Sequence, residues 1–169
     1  MFGSGGMSGT SLSYINPSEY NPVWSPNGGM GGGSFILQSL GAISILITGG
    51  ILTDGSNGES GSTKVEEDLL TGKITIVPGE IDQGYGSISG GGGGSGGLIF
   101  MSSVTSITCR GTLSVKGGNG GNGIQSPKAG EPLSNIAPAS GGSGGGGGYI
   151  VLISPIIDTI GSTLNYSPG

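Results

Sequence analysis

Twice in this chain five glycines stand in a row, at residues 90–94 and 144–148, and an apolar stretch follows closely each time. Glycine costs about 1 kcal/mol per residue inside a helix, so runs of this kind leave no room for a helix of useful length. With 42 glycines among 169 residues, disorder is the other outcome to weigh. Disordered chains, however, are charged and poor in apolar residues. Here 9% of the residues are charged and the mean hydropathy is slightly positive. A chain split between glycine and β-branched apolar residues fits packed β-structure with glycine-rich joints.

A repeat organises the chain. Residues 31–61, 93–123 and 144–169 share one layout: a glycine run, three short apolar runs, and a Gly/Asn-rich close. At an offset of 62, Leu37 falls on Ile99, Ile45 on Ile107, Ile47 on Cys109, Gly49 on Gly111, Ile51 on Leu113 and Asn57 on Asn119. In the third copy, 149–154 matches 98–103 and STLNY at 162–166 matches GTLSV at 111–115, with a one-residue gap. Runs of four to six residues rich in Ile, Val and Thr and bounded by Gly predict strands. In the second copy these are 98–102, 106–110 and 112–116. Ile43, Ile45 and Ile47 alternate with Ser44 and Leu46 in the period of a strand with one buried face.

The rest of the chain falls around this repeat. Residues 1–33 form a Gly/Ser/Pro-rich stretch that predicts an extended arm, with Tyr14, Tyr20 and Trp24 as aromatic anchors for assembly. Residues 34–169 form the body, with insertions at 62–90 and 124–143. The first insertion holds most of the charge and predicts a strand at 73–77, paired with 84–89 as a hairpin. The second carries Pro127, Pro132 and Pro138 and predicts a loop.

Several function classes are excluded by residue type. One cysteine and no histidine remove disulfide frameworks, Cys/His zinc sites and histidine-dependent hydrolases. A net charge of −5, with five basic residues scattered along the chain, argues against nucleic-acid binding. No apolar run approaches the roughly 18–20 residues of a membrane span. The opening MFGSGGMSGTSLSY lacks the basic and apolar regions of a secretory signal.

Individual motifs have plain readings. The glycine runs lack the strand–helix context of a phosphate-cradling loop, and close backbone packing of the polyproline-II type accounts for them better. Glu66, Glu67 and Asp68, or Glu80 with Asp82, supply carboxyl pairs of the sort glycosidases use, but a charged run on an insertion reads as a solvated surface. The stretch 54–59 resembles a calcium loop only loosely, because Glu59 stands where glycine is required. Cys109, at an inward position of a strand, reads as core.

The glycine runs with their apolar sequels, 90–97 with 98–102 and 141–148 with 149–153, together with the turn at 117–123, resemble the glycine-rich β-helical repeats of bacteriophage tail-fibre and spike proteins and of bacterial surface adhesins. The expectation is an all-β fold: a short parallel β-helix-like solenoid of about three rungs. Its interior ladder would hold Leu37, Ile45, Ile47, Ile51, Ile99, Ile107, Cys109 and Leu113. The resemblance implies a structural, non-enzymatic virion component acting in assembly or host attachment, without a cofactor. A secreted bacterial adhesin or surface-filament subunit is the other reading. Expected partners are further copies of the chain, with a trimer favoured by the resemblance, other virion proteins, and cell-surface glycan.

Overall fold

The computed structural model describes residues 5–9, 11–13, 26–61, 65–68, 70–71, 73–76, 86–126 and 138–169. In chain order the first strands are β1 (Ser11–Ser13), β2 (Ser34–Ser39), β3 (Ile43–Ile45), β4 (Gly50–Leu52), β5 (Val65–Asp68), β6 (Lys73–Ile76) and β7 (Gly86–Ile88). They are followed by β8 (Leu98–Ser103), β9 (Ile107–Cys109), β10 (Thr112–Ser114), β11 (Ile124–Ser126), β12 (Tyr149–Ile153), β13 (Ile157–Asp158) and β14 (Thr163–Asn165). The described residues contain no helix.

Each copy of the repeat contributes one strand to each of three parallel sheets, ordered β12-β8-β2, β13-β9-β3 and β14-β10-β4. The second copy is therefore the middle layer, flanked by the first and the third. Its inward side chains form the core: Ile99, Met101, Ile107, Cys109, Leu113 and Val115 are fully buried. Phe35, Ile45 and Ile51 from the first layer and Ile150 and Leu152 from the third pack against them, each only partly buried. The strict alternation along β8, with Ile99, Met101 and Ser103 buried, is the period-2 signature of a strand with one face inward.

The register differs from the uniform offset that the sequence suggests. In the first two sheets Phe35 lies beside Ile99, Leu37 beside Met101, Ile43 beside Ile107 and Ile45 beside Cys109. In the third sheet Ile51 lies beside Leu113, as expected. The first copy has four residues, 46–49, between its second and third strands, whereas the second copy has only 110–111. The extra residues form a turn in which the Gly49 N–H donates to Leu46 O (2.8 Å). Ile47 is thereby expelled from the expected ladder and stands 81% exposed.

The glycine-rich segments are packed. They form a lattice of extended rows in which the backbone bonds its neighbours with a three-residue period. Row 90–97 is the hub. The N–H groups of Gly90, Gly93 and Gly96 donate to the carbonyls of Ser140, Ser143 and Gly146 (3.0, 2.8 and 2.8 Å). Those of Gly91, Gly94 and Gly97 donate to Glu59, Ser56 and Thr53 (2.9, 2.9 and 2.7 Å). On the third side the Gly92 N–H donates to Met7 O, while Gly92 O and Ser95 O accept from the N–H groups of Gly29 and Gly32. Three directions in three residues is the winding of polyproline II, which makes no internal hydrogen bonds and so offers every peptide group to a neighbour. Among the described residues only Gly161 has a positive φ, +79°. Glycine serves the lattice by lacking a side chain: a Cβ on Gly93 would overlap the carbonyl oxygen of Gly118, and one on Gly94 that of Met30.

The lattice lies between the parallel layers and an antiparallel sheet ordered β1-β7-β11. The expected hairpin of 73–77 with 84–89 is corrected here. β6 pairs with β5, in the register Asp68 to Lys73, and β7 pairs with β1 and β11 instead. The second insertion contributes β11 and, from residue 138, a lattice row. Of the expected arm, 5–9 and 26–33 are lattice rows and 11–13 is a strand, whereas Tyr14, Tyr20 and Trp24 lie outside the described residues.

Candidate interaction surfaces

Each layer leaves the lattice along its first strand, turns twice around a short second strand, and returns along the third. The first turn of each layer therefore lies about 17–20 Å from the lattice along a strand of five or six residues, and the second about 10 Å from it along a strand of three. Their sequences place aliphatic side chains beside turn-forming residues: Leu40 before Gly41, Ile156 after Pro155, Ile160 before Gly161. Leu40, Leu46, Ile47 and Ile160 are each at least 70% exposed, and Val104 and Ile156 more than half exposed. Single exposed aliphatics are ordinary; here they recur at both turns of the layers.

Hydrogen bonds hold these tips in place. Ser103 Oγ donates to Gly41 O across layers (2.8 Å) and accepts from the N–H groups of Thr105 and Ser106 (3.1 Å each), fixing two first-turn corners at once. At the second turn, Arg110 Nη2 donates to Asp158 Oδ2 (2.5 Å), tying the middle layer to the third. The Ile160 N–H donates to Asp158 Oδ1 (3.0 Å). The Arg110 hydrogen bond, and next that of Ile160, lower the Asp158 pKa to about 2, and Asp158 in turn raises that of Arg110. The surface so built is aliphatic, with its opposite charges paired.

The remaining candidates from the sequence are placed as follows. Asp54 and Glu59 are engaged in the lattice. Asp54 Oδ1 accepts from Ser114 Oγ (2.6 Å) and the Lys116 N–H (2.7 Å), while Glu59 Oε2 accepts from the backbone N–H and side-chain amide of Asn27 (3.0 Å each). With Asn57 Oδ1 accepting from the Asn119 N–H and Ser60 Oγ from the Asn122 N–H, the series Asp54, Asn57, Ser60 is a polar ladder with the lattice period. Cys109 is buried, its thiol directed at Gly111 O (3.8 Å). Glu66, Glu67 and Asp68 lie on β5, and Glu80 and Asp82 fall outside the described residues. Among the described residues no group of His, Cys, Asp and Glu is arranged to hold a metal ion, and no helix is long and apolar enough to cross a membrane.

The aliphatic tips escape a reading of the sequence because they look like strand residues: Leu46 and Ile47 continue the apolar run of β3 without a break. Their proximity to Gly49, which closes the turn, is the signal that separates them.

No family model, curated protein or solved structure matches this chain. What the fold defines is an all-β protein of three parallel layers joined to a glycine lattice.

Proposed function

We propose that the chain is a structural, non-enzymatic component of a virion, a fibre, spike or decoration protein that acts in assembly or host attachment. The layers are read as the rungs of a short β-helix-like solenoid. The observation that carries this reading is the recurrence of exposed aliphatic side chains at the turns of the layers, where cross-layer bonds hold the chain. A body crosslinked by backbone hydrogen bonds in three directions is stiff, and stiffness suits a part that must present a surface at a fixed distance. The partners on this reading are other virion proteins at the lattice end and a host surface component, with cell-surface glycan as one class, at the tips.

Quantitative mass spectrometry of purified particles and of the cell-surface fraction tests the assignment. Recovery in particles at a fixed copy number supports it, and recovery from the cell surface alone replaces it with a bacterial adhesin or filament subunit. Within the particle, the double variant Leu46→Asp with Ile156→Asp should assemble normally and lose attachment to host cells. Unchanged attachment would move the contact surface elsewhere.

A further inference from the structure

Four asparagines in this chain stand directly before glycine: Asn27, Asn57, Asn119 and Asn122. An Asn-Gly pair is prone to spontaneous deamidation, because the glycine nitrogen reaches the Asn side-chain carbonyl carbon with no Cβ of its own in the way. All four asparagines are exposed to water, and all four lie in lattice rows.

The reaction has a geometric condition. The attacking nitrogen belongs to the peptide that follows the asparagine, and in an extended row that peptide points away from the Asn side chain. Bringing it onto Cγ takes about a quarter turn around the Asn Cα–C bond from its polyproline-II setting. The turn swings the Asn carbonyl and the following N–H together. At each of the four sites a backbone hydrogen bond holds the peptide that must swing. Asn27 O accepts from the Glu59 N–H (2.9 Å) and Asn122 O from the Gly61 N–H (2.8 Å). At the other two sites one bond serves both, because the Gly58 N–H donates to Asn119 O (2.8 Å). It holds the nucleophile of the Asn57 site and the carbonyl of the Asn119 site. The Asn57 amide is engaged with the same residue, its Oδ1 accepting from the Asn119 N–H (2.8 Å).

We infer that Asn57 and Asn119 are a coupled pair of deamidation sites, closed by the lattice and opened together. At Asn57 the Gly58 nitrogen bonds to Cγ, its proton passes through solvent to the departing nitrogen, and ammonia leaves a succinimide. Water then opens one of the two ring carbonyls, giving aspartate or isoaspartate. While the ring stands, Gly58 has no N–H to donate, so Asn119 O is released. At Asn119 the Gly120 nitrogen attacks in the same way, which turns Asn119 O from Gly58. An isoaspartate there also adds a carbon to the main chain and breaks the three-residue period, so the Gly58 N–H stays released. Modification at either site therefore unlocks the other, whereas Asn27 and Asn122 have bonds of their own. This goes beyond the proposed virion role and does not depend on it.

The full chain, incubated at mildly alkaline pH and sampled over time by peptide mapping with isoaspartate detection, tests the coupling. All four sites should react several-fold more slowly in the folded protein than in guanidinium, since reaction needs local opening. Asn57 should start slowly and accelerate as Asn119 is converted. Asn119→Gln keeps the backbone groups at 119 but slows the first event there; with it, the Asn57 course should lose its acceleration and fall several-fold behind the wild type. Asn122→Gln should leave Asn57 unchanged. Circular dichroism checks that both variants are folded. Fragmentation of the intact wild-type protein gives an independent reading: molecules modified at both 57 and 119 should exceed the product of the two single fractions. An Asn57 course identical in wild type and Asn119→Gln, or double modification at the product value, overturns the coupling. Equal rates in folded and denatured protein overturn protection by the lattice as well.

Discussion

The glycine lattice and the apolar layers are two halves of one chain held together by different forces. In the layers the side chains face a core at a period of two, and stability scales with the apolar area removed from water. In the lattice there is almost no side chain to bury. Each net hydrogen bond there contributes only about 0.5–1.5 kcal/mol, and every glycine gives up more chain entropy on ordering than any other residue. A lattice row on its own would not be ordered; the layers anchor it. Rows 90–97 and 115–123 continue directly into or out of middle-layer strands, so the best-buried strands hold the best-connected rows. The lesson is that apolar burial anchors this fold and glycine extends order from it into a region without a side-chain core.

If that division is right, the largest loss comes from the middle layer. Ile107→Asp puts an unpaired charge at a fully buried position, a cost beyond what a marginally stable domain tolerates. The expected outcome is insoluble protein, or soluble protein without β-sheet circular dichroism. Ile47→Asp should cost less than about 0.5 kcal/mol, because that side chain is exposed. Equal damage from both would restore the uniform offset of 62 and overturn the register described above.

Next in size is the contrast between layers. Leu113→Ala empties a fully buried site and should cost about 2–5 kcal/mol. Leu164→Ala removes the neighbouring side chain in the same ladder, which is 40% exposed, and should cost roughly half as much or less. Urea unfolding of the two variants, under conditions where the wild type is monomeric, measures the difference.

The lattice has its own pair. Gly94→Ala drives a methyl group into the backbone of Met30 and should cost about 1–3 kcal/mol, as overpacking does. At Gly146 nothing lies within 4 Å of the added carbon. Gly146→Ala should therefore be neutral, or stabilising by a few tenths of a kcal/mol through the unfolded chain. Thermal melts that rank the two the other way would mean that the rows are not packed through their backbones.

How much of this was legible in the sequence follows from which force acts where. The three-run layout of each copy was readable, because glycine brackets apolar runs and burial leaves a period-2 trace along residues 98–103. The register of the first two sheets was not. Ile43, Ser44, Ile45, Leu46 and Ile47 alternate smoothly, and only the turn to Gly49 distinguishes the last two from strand. The lattice left a trace in the three-residue spacing of Asp54, Asn57 and Ser60. A local reading takes that stretch for a turn, because the groups capped by those side chains lie 62 residues away at Lys116, Asn119 and Asn122. The exposed turn tips were hardest to see, since an aliphatic residue looks the same in a sequence whether it faces a core or solvent.

The smallest effect expected is electrostatic and acts at the joint between the middle and third layers. Asp158 titrates at about 2 in the folded protein, against about 3.9 for an unperturbed aspartate. Between these values the unfolded chain binds the extra proton more readily, so stability falls as the pH is lowered. The contribution is fully present above pH of about 4 to 5 and is lost as the pH approaches 2. The pair is solvent-exposed and screened by salt, so the change is small and should shrink in 1 M NaCl. Arg110→Gln removes the main cause of the shift and should flatten this part of the pH–stability profile while leaving the neutral-pH fold intact. The readout is the denaturation midpoint at pH 5, 4 and 3. If the variant and the wild type lose stability in parallel, the layers are joined at this corner by Gly111 O, which accepts the Thr163 N–H (3.0 Å), and by apolar packing rather than by the ion pair.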